Sequence, residues 1–186
     1  MNHYILLAKQ AVENYIKAGE IISPPGDLPD EFLKRRAGTF VTIEKECHLR
    51  GCIGTYLPTR VNIAEEIIHN ATAAATEDYR FGPIEEKELS SLSYTVYILS
   101  EPELVRDIKE LNPKKFGIIV KTVPILPSKT DVVFNGHIPY KSGLLLPDLE
   151  EIETIEKQIV LACQKASINP EKEKIIIYKF TVEKYQ

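Results

Sequence analysis

The chain has 186 residues, 44% of them apolar and 27% charged, with a net charge of −4 from 23 basic and 27 acidic side chains. That balance suits one ordinary domain, or two small lobes sharing a core. It speaks against the basic face that nucleic acid or an anionic membrane would need. Three cysteines, Cys47, Cys52 and Cys163, are too few and too odd a number for a disulfide-stapled fold. No apolar run approaches the ~20 residues of a membrane helix. The first residues lack a basic leader pattern, so a cytoplasmic location is expected.

Tyr4, Leu7, Ala8, Ala11, Val12, Tyr15 and Ile16 recur at helical spacing and predict a first helix, ended by Gly19. Pro24, Pro25, Gly26 and Pro29 mark a loop, with a helical turn expected at Glu31 to Arg36. Thr39 to Ile43 and Leu49 to Tyr56 read as two strands of a hairpin with a polar turn at Glu44 to Cys47, closed by Pro58. Ala64, Ile67, Ile68, Ala71, Ala74 and Ala75 form one face of a second helix. Tyr94 to Leu99 then predicts a strand covered on both sides.

The second half repeats this order. Strands are expected at Phe116 to Val120 and Ser142 to Pro147, followed by a helix with Ile152, Ile155, Ile159, Cys163 and Ala166 on one side. Asn169-Pro170 stops that helix, and Lys174 to Val182 reads as one long final strand. Lys121 to Lys141 interrupts the second copy, with a further strand expected at Asp131 to Phe134 and a turn at Asn135-Gly136. A glycine stands early in the second strand of each half, Gly51 and Gly143, consistent with an internal duplication. The fold class is α+β, with antiparallel-rich or mixed sheets and about three main helices. The boundaries are one domain over 1–186, with lobes of roughly 1–104 and 105–186. There is no GxGxxG between a strand and a helix and no P-loop.

The segment with most chemical interest is Leu49-Arg50-Gly51-Cys52-Ile53-Gly54. Strand alternation puts Leu49, Gly51 and Ile53 on the core face, and Arg50, Cys52 and Gly54 on the other. A cation near a thiol favours the thiolate, and glycine leaves room for a ligand. The plainer alternative is a tightly packed glycine strand in which Cys52 is a small hydrophobe. Glu77, Asp78 and Arg80 cluster at the end of the second helix and are expected at the same rim, or else as a solvated, salt-bridged helix end. Cys47-His48 lacks paired zinc-ligand spacing, so no metal is expected. His69 is expected to be solvated, His137 lies in a loop, and Cys163 belongs to the core stripe.

Four segments together resemble the AMMECR family: Leu49 to Gly54, Ala75 to Phe81, Ser142 to Pro147 and Ile177 to Tyr185. The hexapeptide LRGCIG is the family's signature and stands here intact. Tyr79 and Gly82 occupy positions where the family usually has proline, and Lys121 to Lys141 is longer than usual. The resemblance implies a two-lobed α/β domain with a cleft near the hexapeptide, and an association with Memo-like and radical-SAM proteins in a modification or redox pathway. It leaves any cofactor unknown. Two functions follow as expectations. One is a component that binds a protein or a small acidic ligand through Gly51, Gly54, Glu77, Asp78 and Arg80. The other is a small enzyme using Cys52 with Arg50. Since no general base accompanies the thiol, the first is preferred, and nucleic-acid binding ranks third.

Overall fold

The first helical stripe closes into α1 (His3–Ala18). Asn2 caps its start by accepting the Tyr4 N–H, and Gly19 ends it at φ 74, where a side chain would be strained. This computed structural model describes residues 2–123 and 140–186. The strand expected at Asp131 to Phe134, the turn after it and His137 lie outside the described residues.

Two compact units follow from the contacts, one running to Glu101 together with Glu183–Gln186, the other Pro102–Val182. In the first, a short helix α2 (Asp30–Lys34) precedes the hairpin β1 (Thr39–Lys45) and β2 (His48–Gly54). The turn is tighter than the polar run suggests. Only Glu46 and Cys47 form it, both at positive φ (51 and 64), the twist that matches a two-residue hairpin. Helix α3 (Ile63–Thr76) and strand β3 (Leu92–Leu99) come next, with a 3-10 turn at Glu86–Ser91 between them that no apolar period announces. The sheet order is β2-β1-β3-β8, where β8 is Val182–Tyr185. Val41, Ile43, Val96 and Ile98 pack with Leu7, Ala11, Ile67 and Ala71 of α1 and α3 in one buried cluster.

The second unit has the order β4-β7-β5-β6: β4 (Glu103–Leu104), β5 (Gly117–Thr122), β6 (Ser142–Leu145) and β7 (Ile175–Phe180). Helix α4 (Ile155–Lys165) supplies Ala162 and Cys163 to a cluster with Ile118, Val120 and Ile168. The expected strand from Lys174 to Val182 is in fact two. Its apolar run ends at Phe180, inside the second sheet. Beyond Thr181, Glu183 and Lys184 are exposed, and Tyr185 stacks on Tyr4 with ring centroids 4.1 Å apart in the first unit. Ile175 to Phe180 is a central strand, paired with both β4 and β5.

The repeat read from the sequence is present in the topology: β2-β1-β3 and β6-β5-β7 are the same arrangement, each with a helix between its second and third strands. It extends to side chains. A Cβ on Gly51 would lie 2.1 Å from the Ala74 carbonyl oxygen, and one on Gly143 would lie 2.0 Å from that of Ala162. One helical turn before each alanine stands a buried amide. Asn70 donates to the Thr39 carbonyl at 3.0 Å, and Gln158 donates to the Phe116 carbonyl at 2.9 Å. Each half thus presses a helix backbone on a glycine and ties that helix to the sheet through one buried amide side chain.

Candidate functional site

Strand β2 is an edge of its sheet, so its outward N–H and C=O groups need partners. The register explains how its side chains are placed. Phe40 to Ile43 pair with Gly54 to Gly51 residue for residue, but Glu44 pairs with Leu49, leaving Arg50 as the extra residue of a bulge. The alternation expected from the sequence fails there. Leu49 stands opposite Glu44 instead of in the core and is 42% exposed. Cys52 stands opposite Thr42, as unbroken pairing requires.

Arg50 spends its guanidinium on structure. Nε and Nη2 donate to the two Glu88 carboxylate oxygens at 3.2 and 2.9 Å, Nη1 to the Gly82 carbonyl at 2.7 Å, and Nη2 to the Pro83 carbonyl at 3.0 Å. Lys45 adds a bond of 3.0 Å to Glu88. The Arg50 fork, opposed by burial and helped by the Glu85 N–H and Lys45, pulls the Glu88 carboxyl down to about 2. Sequence reading missed Glu88 because a glutamate in a short polar turn looks solvated.

Asp78 and Arg80 are the groups that reach Cys52. The Cys52 N–H donates to Asp78 Oδ2 at 2.9 Å, and Arg80 Nη2 donates to the Cys52 carbonyl at 3.4 Å. Arg80 also clasps Asp78, with Nε to Oδ1 at 2.9 Å and Nη2 to Oδ2 at 2.6 Å. The Asp78 side chain is 3% exposed, and the Arg80 bonds, against burial and with the Cys52 N–H, lower its carboxyl to about 2. Segment 77–84 is therefore a strap along the strand edge. Its main chain is tied at Glu77 to Ala73, at Phe81 to Asp78 and at Ile84 to Ala75. Glu77 itself ends α3 in an exposed position.

On the side-chain face, the Thr42 hydroxyl donates to Cys52 Sγ at 3.2 Å. Tyr97 belongs to the same group. Burial raises its phenol, the Cys52 thiol adds to that rise, and a bond with Thr42 opposes it. Neither Thr42 nor Tyr97 was a sequence candidate, because both read only as strand formers. Register alone would have found Thr42. The two glycines do not open a ligand space beside the thiol: a Cβ on Gly54 would lie 2.3 Å from Phe40 Cγ and 2.4 Å from the Thr39 carbonyl. Cys47 is exposed at the hairpin tip, and Cys163 is buried, its thiol pushed up by that burial. Among the described residues no three metal-ligating side chains come together, and no helix is long and apolar enough to cross a membrane.

Comparison with known proteins places this arrangement. A protein of Thermotoga maritima is 47% identical over 184 residues, covering 98% of this chain and 97% of its own. One of Clostridium acetobutylicum is 37% identical over 98% of this chain, which spans only 34% of that longer protein. The crystal structure of an uncharacterised protein from Pyrococcus horikoshii superposes with a TM-score of 0.82 at 31% identity, over 97% of this chain and 88% of that one. The AMMECR1 profile matches residues 5–185. The chain belongs to the AMMECR1 family.

Proposed function

We propose that this protein is a binding component whose contact surface is the strap over the edge of β2, with Tyr79 as its anchor. The observation that carries this reading is a contrast within one short segment. Asp78, Arg80, Gly82 and Pro83 are all committed to hydrogen bonds with Cys52 or Arg50, while Tyr79 between them is 94% exposed. An aromatic held out on pinned backbone loses little freedom on binding and brings a large apolar face with a polar tip, as interface anchors do. The partner is of the Memo-like or radical-SAM kind that the family resemblance implies, and its role lies in a modification or redox pathway. Titration calorimetry with a purified Memo-like protein tests it. Tyr79→Ala should weaken the complex about tenfold or more, and Cys52→Ser should change it less than about twofold. No complex at about 100 μM, or one indifferent to Tyr79→Ala, sinks the reading.

A second reading is a small enzyme working through Cys52. The Thr42 hydroxyl bonded to Sγ supports it, since a donor to sulfur stabilises the thiolate. Arg50 is less suited to activate that thiol than the sequence implies, because its donors are bound to Glu88, Gly82 and Pro83. Loss of function in Cys52→Ser with Tyr79→Ala unaffected would favour the enzyme.

A further inference from the structure

Elsewhere in the first unit is a cleft that shares no residue with the strap. It has a volume of about 260 Å³ and opens between the loop after α1 and the outer side of α3. Ile21, Ile22 and Pro24 line it, with the edge of Ile68, itself only 1% exposed, and Ser23, Arg60, Glu65 and His69 provide its polar groups. Ile21 remains 50% exposed at the rim.

Arg60 is delivered to this cleft by a fixed main chain. Its N–H donates to Glu66 Oε2 at 2.7 Å, and its carbonyl accepts from Arg36 Nε at 3.3 Å. The Glu66 carboxylate, 1% exposed, is already used, accepting also from the Thr55 hydroxyl and from the Thr59 N–H and hydroxyl. It cannot serve the guanidinium as well. Arg60 Nε is buried and has no acceptor among the described residues. The side chains of Arg60, Glu65 and His69 have no hydrogen bond or ion pair with any described residue. Only Nε is enclosed, Arg60 as a whole being half-buried, but an enclosed donor left unpaired is costly and such groups are normally found with partners.

We propose that this cleft binds a free aliphatic α-amino acid. The Arg60 fork matches a carboxylate, and Glu65 offers an acceptor for the ammonium group. The isoleucines and proline take a short branched side chain. The volume lies just under the usual range of about 300–1,000 Å³ for drug-sized ligands, which fits a molecule of this size. Recognition requires both charges on one small ligand, because the cleft offers one free cation and one free carboxyl among its described lining residues.

The test is calorimetry on the full chain with L-leucine, with 4-methylpentanoate as the carboxylate-only probe and 3-methylbutylamine as the ammonium-only probe. Leucine is expected to bind with Kd near or below about 1 mM, each singly charged probe about tenfold or more weaker. Arg60→Gln and Glu65→Gln should each weaken leucine by about tenfold, with the circular dichroism of the folded chain retained. If Arg60→Gln misfolds, Glu65→Gln and the two probes still decide. No saturable heat with leucine, isoleucine or valine up to about 10 mM overturns the proposal. So does equal binding of either singly charged probe, or leucine binding unchanged in the charge variants.

Discussion

Gly51 lies directly beneath the carbonyl of Ala74, at a distance that no side chain could enter: a Cβ there would sit 2.1 Å from the oxygen. The obstacle is helix backbone, which cannot rotate away. Gly51→Ala should therefore destabilise the protein by about 2–3 kcal/mol, the cost of overpacking a closed core. Gly143→Ala should match it, because the Ala162 carbonyl stands in the same relation at 2.0 Å. Gly82→Ala is the control, since a Cβ there would meet nothing within 4 Å, and it should stay within about 0.5 kcal/mol of wild type. Urea denaturation of the three variants checks the set.

Asp78 holds the strap to the strand edge. Removing its side chain takes away the carboxylate that accepts from the Cys52 N–H and from Arg80. Asp78→Ala should cost about 1–3 kcal/mol, the loss of a buried charged acceptor, since the Arg80 side chain is 46% exposed and can turn to water. The uncovered edge of β2 should also self-associate, as unprotected strand edges do. Urea denaturation gives the first effect and light scattering the second. Unchanged values in both would mean that the strap is not held by this residue.

Acid should loosen the same region. Asp78 and Glu88 are both lowered to about 2 by their arginine partners. As pH falls, the unfolded chain takes up these protons before the folded one does. The stabilisation is therefore complete above the ordinary carboxylate range and is lost as pH drops from about 4.5 towards about 2. Each group contributes at most roughly 2–3.5 kcal/mol. Melting temperature measured from pH 7 to pH 3 should fall steeply in the lower part of that range, and less steeply in Glu88→Gln.

The cysteines should separate by alkylation rate. Cys47 is exposed at the turn, Cys52 is half-buried against Thr42, and Cys163 is 1% exposed with its thiol raised by burial. Cys47 is expected to label fastest, then Cys52, while Cys163 labels only with unfolding. Mass spectrometry of the native protein in rising urea assigns each. Labelling of Cys163 without urea would contradict the buried placement.

What could be read from the sequence was what periodicity and chain order encode. The stripe from Tyr4 to Ile16, the alanine face of α3 and the repeated strand-strand-helix-strand order placed the main helices and both sheets. Gly51 and Gly143 were visible as a matched pair, although the carbonyls that require them belong to helices more than a dozen residues away. A bulge leaves no period-2 trace, so alternation misplaced Leu49 and set Arg50 beside Cys52. Likewise a chain that changes sheet within one apolar-rich run, as at Thr181, has no turn residue to announce it. At the site, Asp78 and Arg80 were expected at the rim from charge clustering. Thr42 and Tyr97 beside Cys52, and Glu88 on Arg50, come from register and tertiary contact, which local composition does not carry.

The contact role proposed for Tyr79 is open to one direct measurement: a photo-crosslinking benzoylphenylalanine placed at position 79, with a second at exposed Leu57 as control. Each labelled chain is irradiated with a purified Memo-like protein, and the products are separated by gel and sequenced by mass spectrometry. An adduct to one defined segment of the partner from position 79, with none from position 57, is the expected result. An adduct from position 57 alone, or from neither position where calorimetry shows the complex formed, would contradict the strap as the contact surface.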